Sequence, residues 1–190
     1  MKFHGITLLL AVAAISSISS RTALADDKCQ LSLSSSNASF GLFKQDDIVN
    51  AKKGWNQMPS REINVNVNCP ESRPVALFIQ GRAGEKGRFY FGESGGLAVR
   101  VSQMVVDGKS YPFAKTVDRA RLTPNGESME SLLLHNNDGI VAVENEATVS
   151  GKNLSFTMKL TPVLNDRQFS FSTDITALES DLMWEVLTQQ

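Results

Sequence analysis

The sequence predicts an all-β protein, a sandwich of antiparallel strands. Three observations predict it. Apolar side chains recur at every second residue in several segments, the period that sets one strand face on a core and the other in water. Turn pairs, Asp107-Gly108, Asn125-Gly126 and Asp138-Gly139, fall between such segments, and pairs of this kind tolerate the positive φ of tight hairpins. No long helical pattern, internal repeat or low-complexity linker interrupts them.

The elements follow in chain order. Residues 1–25 read as a secretory signal. Lys2 gives a positive start, 6–18 is an apolar run softened by serines, and Ala23-Leu24-Ala25 is a small-x-small cleavage site. The run is too short and too polar for the ~20 residues of a membrane span. Cleavage would leave residues 26–190 as one domain, a length that buries about 70% of its unfolded surface. Ile63, Val65 and Val67 alternate with Asn64, Asn66 and Asn68, which predicts a half-buried strand ending at Cys69. Residues 75–79 are apolar on both faces and predict a central strand. Gly81, Gly84 and Gly87 punctuate a charged, mobile loop carrying Arg82, Lys86 and Arg88. Leu97, Val99 and Val101 predict the next strand. Leu154, Phe156, Met158 and Leu160 predict another, and Phe169, Phe171, Thr173 and Ile175 a further one. Two short runs fit both periods. Residues 129–134 read as a strand or one helical turn. The C-terminal run reads as a helix through Leu178, Leu182 and Val186, or as a strand through Leu182, Trp184 and Val186, with strand preferred and Glu185 facing solvent.

Cys29 and Cys69 are the only cysteines. In an exported chain two cysteines make one disulfide most simply, worth at most about 4 kcal/mol from loop closure. Loss of Lys2 and Arg21 with the signal leaves 17 basic against 20 acidic residues, a net charge of −3. Without a basic block, nucleic acid is not an expected partner. His135 is the one histidine left, so a zinc site of ordinary ligands is not expected, and no cofactor is. Asp46-Asp47 and Asp138-Gly139 are the carboxylate positions open to calcium, without an EF-hand pattern.

Several motifs invite chemistry. Gly92-Glu93-Ser94-Gly95-Gly96 matches G-x-S-x-G, and Ser94, Asp107 or Asp118, and His135 imitate a triad. A hydrolase needs a helix after that serine, whereas a strand pattern follows, so no enzyme is expected. His135, beside Asn136-Asn137-Asp138-Gly139, reads as a polar residue entering a turn. Gly108-Lys109-Ser110 lacks the glycine a phosphate loop needs at position 103, which is Gln. Asn37-Ala38-Ser39 is a glycosylation sequon of meaning only in a eukaryotic secretory pathway. Trp55, in a polar stretch, reads as a loop residue covering the core, or else as a sugar platform or interface anchor.

The order of these features resembles the subunits of chaperone–usher fimbriae, nearest the enterobacterial fimbrial-like proteins of unassigned function. Four stretches carry the likeness. Cys29 lies in a first strand, followed by Phe40-Gly41-Leu42-Phe43. Cys69 closes the Ile63-to-Asn68 strand. Gly95-Gly96-Leu97-Ala98-Val99-Arg100-Val101 runs into Asp107-Gly108-Lys109, and an alternating segment, 182–190, comes last. The resemblance implies an immunoglobulin-like, pilin-type sandwich lacking its final strand, possible to complete only with a strand from outside. It implies a periplasmic pilus chaperone, an outer-membrane usher and other fimbrial subunits as partners, and a route through the periplasm to a fimbrium at the cell surface. Leu182, Trp184 and Val186 would line the chaperone-pairing edge. Only Asp26-Asp27-Lys28 would precede Cys29 after cleavage, so such a subunit would accept a strand without donating one. The alternative is a self-complete secreted or periplasmic binding module with no fibre role.

Overall fold

The computed structural model describes residues 28–92, 94–170 and 178–189. The predicted signal segment, residues 1–25, lies outside them. The described chain is all-β apart from one short helix and two single turns of 3-10 helix. In order it forms β1 (Gln30–Leu33), β2 (Asn50–Lys52), β3 (Trp55–Gln57), β4 (Arg61–Gly81), β5 (Phe89–Phe91), β6 (Gly95–Val106), β7 (Lys109–Tyr111) and β8 (Phe113–Thr116). Then come β9 (Asn125–Met129), β10 (Ser131–Leu134), β11 (Gly139–Glu144), β12 (Ala147–Thr148), β13 (Ser150–Asn165), α1 (Asp166–Ser170) and β14 (Leu182–Thr188). Every pairing among them is antiparallel.

β4 organises the fold. Its first half lies between β1 and β13, and its second half between β14 and β11. β6 pairs along one flank with β13 and along the other with β5, β10 and β7 in turn. β8 joins β11 to β9. Ile63, Val65 and Val67 are buried and Asn64, Asn66 and Asn68 exposed, as the alternation predicts. Leu154, Phe156, Met158 and Leu160 of β13 enter the same core. Phe156 meets Phe113 of β8 edge-on at 6.1 Å and Trp184 of β14 at 5.8 Å. These rings join the β6–β13–β4 strands to the β14–β4–β11–β8 strands across one core, packing consistent with a β-sandwich. A buried phenylalanine such as Phe156 contributes ~1.5–3 kcal/mol of transfer free energy.

The doubly apolar run 75–79 has the predicted central place, and the structure supplies the reason. Val75, Leu77 and Ile79 enter the main core. Ala76 and Phe78 enter a second, smaller cluster with Ala114, Leu122, Val141 and Val143 on the opposite face. Asp118 builds the loop that delivers Leu122, its carboxylate accepting the backbone N–H groups of Ala120 and Arg121 and the Thr123 hydroxyl. Those bonds, led by the one from Arg121, hold its carboxyl below the usual range.

The disulfide joins Cys29 to Cys69, across a sequence separation of 40. Register explains it: Gln30 pairs with Asn68, which sets Cys29 opposite Cys69.

Several expectations change. The strand expected through Phe169 is a helix over Asp166–Ser170, and residues 171–177 lie outside the described chain. A local cap overrides the alternation. The Gln168 backbone N–H donates to Asn165 Oδ1 at 3.2 Å, and Gln168 Oε1 accepts from the Asn165 backbone N–H at 3.0 Å. This reciprocal pair is a capping box. Asp107-Gly108 turns as predicted, both residues at positive φ, between paired Val106 and Lys109. Asn125-Gly126 instead opens β9, and Asp138-Gly139 leads into β11 from β10, a strand paired to β6 rather than to β11. Hairpins the sequence did not announce turn at Lys53-Gly54 and at Asn145-Glu146. In β6 the inward positions shift from Leu97, Val99 and Val101 to Met104 and Val106. A bulge at Gln103, with φ 61°, supplies the extra residue. Of residues 129–134, Met129 ends β9 and Ser131–Leu134 form β10, with a bend at Glu130 between them.

Candidate functional site

The C-terminal run is a strand. β14 pairs with β4 over its whole length, Leu182 with Gly81, Trp184 with Ile79, Val186 with Leu77 and Thr188 with Val75. Period two then gives it two faces. Leu182, Trp184 and Val186 turn to the main core and are half-buried there. On the other face Leu187 packs on the second cluster and Met183 is 64% exposed. Glu185 is half-buried rather than free in solvent. It accepts from Arg119, whose guanidinium stands 4.1 Å over the Phe78 ring. The sequence did not reveal this partner because residue 119 lies 66 positions away.

Among the described residues β14 pairs on one flank only, which leaves its other row of backbone donors and acceptors without a strand. β1 pairs with β4 on the flank away from β13, and β14 on the flank away from β11. Leu31 and Leu33 of β1 are half-buried against the same core as Leu182, Trp184 and Val186. Phe40 and Phe43 also pack on this core only in part, with Phe40 edge-on to Phe91 of β5 at 5.7 Å. Apolar side chains that are only half covered, beside an unpaired strand, present both requirements for strand addition: backbone bonds for affinity and alternate pockets for register.

The other candidates lie apart in their bonding. Ser94 is exposed at the head of β6, where its carbonyl accepts from Asn165 Nδ2 at 3.3 Å. A strand follows it, not the helix of a nucleophile elbow. His135 stands 3.5 Å from Asp138 Oδ2, and that carboxylate also takes Lys115 and the His135 backbone N–H. Asp107 is engaged elsewhere by the backbone N–H groups of Asn153 and Lys152, which lower its pKa. Asp47 accepts from the Lys44 backbone N–H. Among the described residues no group of three or more His, Cys, Asp or Glu side chains is placed to hold a metal ion, and no helix is long and apolar enough to cross a membrane. Asp138 and the hydrogen-bonded loop it stabilises put His135 against Gly87, so this histidine belongs to a packed turn.

No protein-family model matches the chain, and no curated protein matches it significantly.

Proposed function

We propose that this protein is a non-enzymatic fimbrial-like subunit, an immunoglobulin-like sandwich of pilin type that accepts an extended strand along β14 and is exported through the periplasm towards a surface fibre. The observation that carries the reading is the one-sided pairing of β14, with Leu182, Trp184 and Val186 half-buried beside it. The pairing of β14 with the second half of β4, and the disulfide from Cys29, just before β1, to Cys69 in β4, agree with the order of features behind the resemblance. The occupant is a strand with alternating apolar side chains, first from a periplasmic chaperone and then from a neighbouring subunit. An unpaired apolar edge would otherwise invite aggregation.

A second reading, a self-complete binding module, is favoured by one observation: the segment after β1 already folds Phe40 and Phe43 onto Phe91, covering part of the core from within the chain. A pull-down from periplasmic extract separates the two. Full-length protein should retain a fimbrial chaperone, and a form lacking 182–190 should not. Recovery of a stable monomer with no chaperone, or equal capture by both forms, would reject the strand-accepting role.

A further inference from the structure

A second feature lies where the β2–β3 hairpin faces the loop 82–88. Lys53 and Gly54 adopt positive φ, 52° and 76°, and fold Lys52 opposite Trp55. Pairing of Trp55 with Asn165 of β13 fixes the indole in place. The loop is closed by backbone bonds from Gly84 to Arg88 (2.8 Å) and from Arg88 to Glu85 (3.1 Å). It carries Lys86 and Arg88 to the indole: Lys86 Nζ lies 5.3 Å and Arg88 Cζ 5.1 Å from the ring centre. Gly96 makes room for this, because a Cβ there would stand 2.8 Å from Arg88 Cδ. Two cations of the charged loop, Lys86 and Arg88, are therefore stacked on an aromatic side chain.

Between hairpin and loop opens a cleft of about 340 Å³. Four cations line it, Lys52, Lys53, Lys86 and Arg88, around the indole wall. Arg88 is under-compensated. Its Nη1 is buried without a hydrogen-bond partner, and burial lowers its pKa while Glu85 opposes that. A half-buried cation among three others is disfavoured until an anion offsets it. The remaining wall is neutral: Asn50 and Gln57 offer amide groups suited to hydroxyls.

We infer that this cleft binds an acidic saccharide, a sugar ring bearing carboxylate or sulfate. The cations answer the acid group, the indole answers the apolar face of a pyranose, and the amides answer its hydroxyls. The cleft's volume sits at the low end of ligand pockets, ~300–1,000 Å³, which suits a short saccharide. Nucleic acid fits less well, since the chain's net charge is −1 and its basic residues form no extended stripe. The inference stands independently of strand acceptance.

The test is titration of the purified full-length protein with short oligogalacturonides and heparin oligosaccharides, followed by calorimetry and by tryptophan emission, the Trp55 part being the signal lost in Trp55→Ala, where Trp184 alone remains, with maltooligosaccharides and sodium sulfate as controls. One or both acidic saccharides should bind saturably and the neutral sugar should not. Arg88→Gln and Trp55→Ala should each weaken binding by about tenfold or more, as loss of a charge-assisted contact or an aromatic anchor does. Lys86→Gln, at an exposed position, and Gly96→Ala, which displaces Arg88, should weaken it while leaving the fold intact by circular dichroism. They keep the test decisive if Trp55→Ala does not fold. Lys109→Gln, remote from the cleft, should change nothing. No saturable binding of either acidic saccharide would overturn the inference. So would binding unaffected by all four cleft variants, sulfate binding as tightly as the saccharides, or a duplex DNA competing through the same residues.

Discussion

Trp184→Ala tests strand acceptance most directly, because the magnitude should depend on whether the edge is filled. A fully packed tryptophan truncated to alanine costs ~3–5 kcal/mol. Trp184 is only half-buried and keeps one edge-on partner, Phe156, at 5.8 Å. Roughly half of the full loss, about 2 kcal/mol including the ring pair, is therefore expected for the protein alone. A strand laid along β14 would cover the exposed part of the indole, so in the complex the same substitution should approach the full ~3–5 kcal/mol. The difference, about 1.5–2.5 kcal/mol, should appear as a roughly 10- to 70-fold weaker affinity for the strand. Urea unfolding of wild type and variant gives the first number. Titration with a synthetic peptide of alternating apolar residues, or with purified chaperone, gives the second. Equal affinities for wild type and variant would refute the argument. A loss of the full amount in the isolated protein would show that the indole is already sealed, with nothing left for a partner to cover.

Other outcomes follow from local features. Cys29→Ser should lower stability by about 2–5 kcal/mol, measured by urea unfolding under oxidising conditions, and a variant as stable as wild type would remove the staple from the account. Gln168→Ala should remove one arm of the capping box and cost about 0.5–1 kcal/mol, with faster amide exchange confined to α1. The Asp118 carboxyl has a folded pKa below its ordinary value, so its bonds stabilise the protein above about pH 4 and are lost as pH falls through the depressed folded value. Asp118→Asn should therefore narrow the stability gap to wild type as pH drops below about 4, and a gap constant with pH would contradict the assignment. Arg119→Gln should leave Glu185 without its partner and weaken β14 by no more than about 1 kcal/mol, since both side chains are partly exposed.

Alternation by itself determined the strands of β4 and β13, because one face of each meets water and each residue's polarity reports its own side. The same logic read the C-terminal strand and placed Leu182, Trp184 and Val186 on one face. The two cysteines announced the disulfide because they had no other partner of their kind. What alternation could not express was decided in three dimensions. A capping box between Asn165 and Gln168 starts a helix over Asp166–Ser170 where alternation announced a strand, because two side-chain-to-backbone bonds within four residues satisfy locally the groups that a sheet ladder would otherwise pair. The bulge at Gln103 reversed the inward parity of β6, an insertion defined only against β13. Phe78 owes its burial to Leu122, and Arg88 its place over Trp55 to Gly96 and the hairpin at Lys53-Gly54. Side chains brought together from distant positions leave no periodic trace, so the unpaired edge of β14 and the basic cleft became visible only when the pairing was known.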